Sequence, residues 1–248
     1  VAKNTAKNTA KKPTAKKPSA KKPTAKKPTA KKPRRLLFAT KNQGKVAELA
    51  ALLQDLPVEV LSAAQIPDFP DIAETGRTFF ENARIKALEA ARHTGMCALA
   101  DDSGLRVDAL DGQPGIHSAR FGGPDTNDQK NLALLLEKMA QVPWAKRTAH
   151  FRCVVVFVDP SAAANPSADA PTLLTATGTC EGYILEAPKG SSGFGYDPVF
   201  YFPPWAKTFA ELQAKTKNQV SHRARALKTL KDQLEKYLKI PAAVDGAP

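Results

Sequence analysis

The stretch RRLLFATKNQGKVAELAALLQ, residues 34–54, decides the fold class. Arg34–Ala39 is a short apolar run and reads as a strand. From Gly44 onward, Val46, Leu49, Ala50 and Leu53 recur at the spacing of one helix face. A strand that hands over to a helix within a few residues is the repeating unit of α/β proteins. Working outward, Val58–Leu61 reads as a second strand and Thr78–His93 as a long helix. Cys97–Ala100 reads as a third strand, ending at the turn-forming run Asp101-Asp102-Ser103-Gly104. Asn127–Ala140 is an amphipathic helix, and Phe209–Ala214 and Ser221–Leu238 are helical. Ala149–Val158 and Leu173–Leu185 are long strands, adjacent in sequence and expected to pair antiparallel across a Pro/Ala/Ser loop. The class is therefore α/β or α+β with a mixed sheet.

Charge divides the chain in another way. It has 248 residues and a formal net charge of +13. Residues 1–35 hold 12 Lys, 2 Arg and no acid, which leaves 23 basic against 24 acidic residues in 36–248. The segment is a repeat, AKKP[T/S] every five residues, and is expected to be an extended arm because Pro breaks helices and Lys pairs repel. Three segments are expected: a disordered tail at 1–35, a folded domain at 36–240 and a frayed end at 241–248. Such an arm suits non-specific nucleic-acid contact, with affinity falling by orders of magnitude in salt if about 6–10 charges meet phosphates. It also suits a bland solubilising role. No apolar run approaches the roughly 18 residues of a membrane span, and the basic N-terminus lacks the apolar core of a secretory signal. Cys97, Cys153 and Cys180 lack ligand or framework spacing. These readings point to the cytoplasm and to no membrane partner.

Five clusters carry candidate chemistry. Thr40-Lys41-Asn42-Gln43-Gly44-Lys45 lies between a strand and a helix, where backbone N–H groups and the helix dipole favour an anion. An ordinary cap by Asn42 is the plainer alternative. Asp101 and Asp102, followed by Ser103, are hard oxygen donors of the kind that suits Mg²⁺, or that orients a water. Glu74 precedes a helix carrying Asn82 and Lys86 and could complete a metal site. Phe194-Gly195-Tyr196-Asp197 is a glycine-flanked aromatic loop suited to stacking on a ring. Lys217 with His222 and Arg223 offers donors to carbonyl oxygens or phosphates. Each has a structural alternative in a turn, a cap or a surface ion pair. Together they make the inventory of a nucleoside triphosphate site with hydrolytic chemistry. His93, His117 and His150 fit no ligand spacing, and Trp144 and Trp205 read as packing anchors.

Taken in order, the motifs TxNxxK (40–45), ETGxTFxENAxxKA (74–87), ADDSGL (100–105), PGIxSAR (114–120), GFGYDP (193–198) and SHR (221–223) resemble the inosine triphosphate pyrophosphatase family, the XTP/dITP diphosphatases. The resemblance spans about residues 36–238 and leaves the tail outside. It implies an elongated α/β fold, two lobes around a central cleft, and a homodimer. It implies Mg²⁺-dependent hydrolysis of ITP, dITP or XTP to the monophosphate and pyrophosphate, which cleanses the nucleotide pool. It also implies roles. Residues Thr40 to Lys45 would hold the triphosphate, and Ser103 would touch substrate. Glu74 and Asp102 would bind Mg²⁺. Asp102 would accept the proton of the attacking water, with Asp101 and Lys86 supporting. Phe194 would stack on the purine within the Gly195-Tyr196-Asp197 loop, and Lys217, His222 and Arg223 would read its carbonyl edge. The rival classes are a Maf-type nucleotide pyrophosphatase and a nucleic-acid-binding protein that works through its tail.

Overall fold

The computed structural model describes residues 1–2, 33–162 and 172–239. The chain divides into two units, residues 1–31 and 32–248. The AKKP repeat, most of the Pro/Ala/Ser loop and the C-terminal end fall outside the described residues.

The second unit is built on a seven-stranded mixed sheet in the order β2-β1-β3-β4-β5-β6-β7. Strand β1 (Arg34–Phe38) leads through helix α1 (Gln43–Leu52) to β2 (Val58–Ser62), and helix α2 (Phe79–Thr94) leads to β3 (Cys97–Val107). These three strands run parallel, with β1 in the middle. Helix α3 (Asp128–Lys138) precedes β4 (Thr148–Val158) and β5 (Thr172–Ile184), which continue the sheet antiparallel as expected. Two short strands, β6 (Phe200–Phe202) and β7 (Lys207–Thr208), complete it. Helices α4 (Ala214–Val220) and α5 (His222–Lys239) close the described chain.

Side-chain alternation sorts the core into layers. Leu36, Phe38, Leu99, Val155 and Phe157 face α1 and α5, meeting Leu49, Leu227 and Leu230. Leu37, Ala98, Ala100 and Val156 face the other way, onto Phe79, Ala83 and Ala87 of α2. The far ends of the long strands form a third cluster, where Leu105, Phe151 and Cys180 pack with Leu135, Phe200 and Phe209. Helix α5 reaches the sheet at Gly178, where a Cβ would stand 2.1 Å from the carbonyl oxygen of His222. That glycine lets the start of α5 lie directly on the strand.

Two expectations are corrected. The third strand does not stop at Ala100. It continues to Val107, because β4 pairs with it from Ala98↔Val158 to Val107↔Ala149 and satisfies its backbone through the Asp-Asp-Ser-Gly run. Phe209–Ala214 is not one helix but a single 3₁₀ turn, Phe209–Glu211, followed by the separate α4. Trp144 and Trp205 are half exposed, and Trp144 packs by stacking on Tyr183 at 5.2 Å.

One feature of the sheet positions the site. Strand β1 covers β3 only at Cys97–Leu99. Beyond Leu99 the edge of β3 opens into a notch, at the carboxyl end of β1, where the loop to α1 departs. Crevices outside the carboxyl ends of parallel strands are the usual ligand sites of such sheets.

Candidate active site

Asp101 and Asp102 sit at this notch, and the two-residue period of a strand sends them to opposite faces. Asp101 faces α1 and α5. It is buried, accepts both its oxygens' contacts from Lys45 Nζ at 2.9 Å, and accepts from Arg223 Nε at 3.2 Å and Ser103 Oγ at 3.2 Å. Burial alone would raise its pKa, but the charges of Lys45, Arg223 and Lys86 outweigh that and hold it well below the usual carboxylate range. Asp101 thus acts as a fixed anion that orients two cations. Asp102 faces α2. It accepts from Asn82 Nδ2 at 3.1 Å and lies 3.9 Å from Lys86 Nζ. Burial pushes it up, Glu74 adds to the push, and Lys86 only partly offsets them, so it titrates at about 6. Two adjacent carboxylates therefore differ in chemistry because their surroundings differ.

The loop before α1 is a capped helix start, as its plainer alternative held. Asn42 Oδ1 accepts the Lys45 N–H at 3.1 Å, and Thr40 Oγ1 accepts the Asn42 N–H at 3.2 Å. Lys45 alone of this loop lines the cavity of about 220 Å³ that it shares with Phe194, Lys217 and Arg223. The side chains of Lys41 and Gln43 turn elsewhere, to Asp71 at 2.7 Å and Ser62 Oγ at 3.3 Å. The backbone from Gln43 and Gly44 onward still presents the positive end of α1.

The aromatic loop is held by two carboxylates. Asp197 accepts the Phe194 N–H at 3.0 Å and pairs closely with Lys217. Gly193, at φ +81°, allows this, since a Cβ there would stand 2.1 Å from Asp197 Oδ2. Asp128 accepts the Gly195 N–H at 2.8 Å. The result is a Phe194 ring left 58% exposed, with Lys217 Nζ 4.6 Å from its centroid. Tyr196 is buried and donates its hydroxyl to Ser118 O at 2.8 Å, so it anchors the loop while contributing to the cavity wall.

His222 stacks on Phe151 at 4.8 Å. Burial and the charges of Arg223 and Lys217 hold its pKa well below the usual value, so it is neutral. Its Nδ1 is buried with no partner among the described residues. Lys45, Glu48, Ser103, Phe194, Lys217, His222 and Arg223 all line one cavity of about 220 Å³. Gly104 and Ser118 line it too, so it rounds the open edge of β3 toward the other face.

On that other face, Lys86 Nζ stands 2.6 Å from Glu74 Oε1 and between it and Asp102. Arg120 lies 3.5 Å from Glu74. Among the described residues no group of three or more His, Cys, Asp and Glu forms a closed metal cage. Glu74 and Asp102 are hard oxygen donors of the kind Mg²⁺ takes together with substrate phosphates and water, and Lys86 now stands between them.

Sequence reasoning missed Glu48, Asp128 and Asn218, which also line the cavity. Glu48 lies one turn after Lys45 on α1 and reaches Arg223 at 3.8 Å, so helical spacing was an available signal. Asp128 gave no such signal, since it meets Gly195 only across the tertiary fold.

A cationic cavity at the end of a parallel strand, beside an exposed ring and a carboxylate held near neutrality, is the arrangement of an enzyme for a ring-bearing polyanion. The chain belongs to the Ham1 family, whose model matches residues 36–233. It is 51% identical over 205 residues to the dITP/XTP pyrophosphatase of Geobacillus kaustophilus, covering 83% of this chain and 96% of that one. It is 48% identical over 200 residues to the dITP/XTP pyrophosphatase of Geobacter sulfurreducens, covering 81% and 96%. Among solved structures, a HAM1 protein from Coxiella burnetii superposes with a TM-score of 0.75 at 40% identity, covering 82% of this chain and 99% of that one. The family resemblance read from the motifs is borne out, as is the mixed α/β fold.

Proposed function

We propose that this chain hydrolyses deaminated purine nucleoside triphosphates, dITP, XTP and ITP, to the monophosphate and pyrophosphate, and so removes them from the nucleotide pool. The observation that carries the reading is the division of labour on β3. Asp101 orients Lys45 and Arg223 at the cavity, while its neighbour Asp102 keeps a proton-accepting carboxylate at the same open edge. Relatives named dITP/XTP pyrophosphatase support the substrate class.

In this reading Lys45, with Thr40, Asn42 and the N-terminus of α1, binds the triphosphate. Asp102 accepts a proton from water as its oxygen bonds to the α-phosphorus. The bond from that phosphorus to the bridging oxygen breaks, and pyrophosphate leaves with the oxygen. A group with pKa near the working pH is suited to this proton transfer. Lys86 offsets the charge of the phosphates and holds Glu74 and Asp102 in place. Glu74 and Asp102 would hold Mg²⁺, which when bound supplies positive charge at the phosphates and favours the ionised form of Asp102. Phe194 stacks on the base. Lys217, Arg223 and the neutral His222 face its edge, where a 6-oxo acceptor pairs with donors and the 6-amino group of adenine leaves them unpaired.

Pyrophosphate release by the purified chain with Mg²⁺ tests this, comparing dITP, XTP and ITP with ATP, GTP and dTTP. A strong preference for the first three is expected. Equal or absent turnover overturns the assignment.

A further inference from the structure

A second cavity, of about 470 Å³, lies on the α2 face of the sheet, and the reaction proposed above uses none of its residues. Three guanidinium groups line it: Arg77 before α2, Arg106 on β3 and Arg152 on β4. The register brings the latter two together, since Gly104 pairs with Arg152 and Arg106 with His150. The Nε atoms of both Arg106 and Arg152 are buried with no hydrogen-bond partner. Among the described residues no carboxylate lies within ion-pair distance of any of the three, although Asp111 borders the cavity. Gly112, at φ +80°, makes room for this arrangement, because a Cβ there would stand 2.6 Å from an Arg106 nitrogen. Helix α2 begins at the same wall and adds the positive end of its dipole. The ring of Phe80, 41% exposed, borders the opening.

Arg77 is exposed and Arg106 and Arg152 are half buried, but the Nε–H donors of the latter two are fully buried, and native folds rarely leave such a donor without something that fills its demand. Like charges drawn from three elements to the lining of one cavity repel, and a bound anion relieves that repulsion. Planar guanidiniums match the paired oxygens of phosphate groups. We propose that this cavity is a second anion site, distinct from the catalytic one, which binds a polyphosphate. Its source is free pyrophosphate or tripolyphosphate, or the phosphate chain of a nucleotide whose base lies on Phe80.

Residue-resolved labelling of arginines with phenylglyoxal, read by peptide mass spectrometry on the full chain, tests the proposal. The probes are pyrophosphate, tripolyphosphate and dTTP. At a probe concentration about ten times its dissociation constant, labelling of Arg106 and Arg152 should slow about tenfold, while exposed Arg92 should be unaffected. Calorimetry with tripolyphosphate should then find one site fewer in the doubly substituted Arg106→Gln, Arg152→Gln chain, the tail and catalytic cavity being common to both. Stronger protection by dTTP than by tripolyphosphate, lost in Phe80→Ala, makes a nucleotide the occupant; equal protection makes it the polyphosphate alone. Protection at Arg223 without any at Arg106 and Arg152 overturns the proposal. So does protection that grows with protein concentration and needs no probe, which would make this face a protein contact instead.

Discussion

Replacing Asp102 by Asn should abolish turnover and, in the metal-free protein, make the fold more stable near neutral pH. The magnitude follows from the environment of the carboxyl. Buried on the α2 face and near Glu74, it titrates at about 6 instead of the ordinary 3.8. Ionising it at a pH of about 8 therefore works against roughly 3 kcal/mol of native stability. The attraction to Lys86 is already contained in that net value. An unfolded chain releases this proton near 3.8 and the folded chain near 6, so between those values the folded state binds more protons. Wild-type stability must then fall as pH rises through that window. The gain from Asn should be close to zero below about pH 4, about half developed near pH 5 and complete above about pH 7. For a domain of this size the full gain corresponds to a rise of about 6–12 °C in Tm. Thermal and urea melts in EDTA across this pH range read it directly. A variant no more stable than the parent near pH 8, or one whose gain does not change with pH, refutes the reasoning that Asp102 is a destabilised, proton-accepting carboxylate. Adding Mg²⁺ should reverse the order, by stabilising only the chain that keeps the carboxylate.

Two further outcomes follow from the packing around the cavity. Gly178→Ala should destabilise the fold by about 1–3 kcal/mol and raise KM, because its Cβ meets the His222 carbonyl oxygen and lifts the start of α5 from the sheet; an unchanged urea midpoint together with an unchanged KM would refute that placement. Phe194→Ala should leave stability within about 0.5 kcal/mol, since the ring is exposed, yet raise KM about tenfold if its stacking on the base is of the usual strength; steady-state kinetics with dITP should show no rise if the ring plays no part.

Much of the fold was legible because the elements that carry it are locally consistent. The strand–helix handover at residues 34–54, the helices that start near Thr78 and Asn127 and the two long strands each advertise themselves in composition and period. The end of β3 was misread because Asp-Asp-Ser-Gly has the makeup of a turn. What keeps it extended is a partner strand some fifty residues later, which local composition does not express. β6 and β7, of three and two residues, are too short to leave a periodic signal. Tyr196 shares a motif with Phe194, but only the packed structure shows that one is buried against Ser118 while the other is exposed. The arginine cavity was invisible for a similar reason: Arg106 and Arg152 belong to no motif and are brought together by strand register, and Arg77, at a variable position of its motif, joins them from the loop before α2.

The sequence by itself determined the local conformations, the Asn42 cap, the glycines that free the loops and the ordered motifs that mark the family. Those depend on near neighbours, whose interactions are set before the chain closes. The tertiary structure decided what each carboxylate is. A strand turns adjacent side chains to opposite faces, so Asp101 meets Lys45 from 56 residues away and Arg223 from 122 residues away, while Asp102 meets α2. Burial and the charges that closure brings together set a pKa, and neither exists in the extended chain.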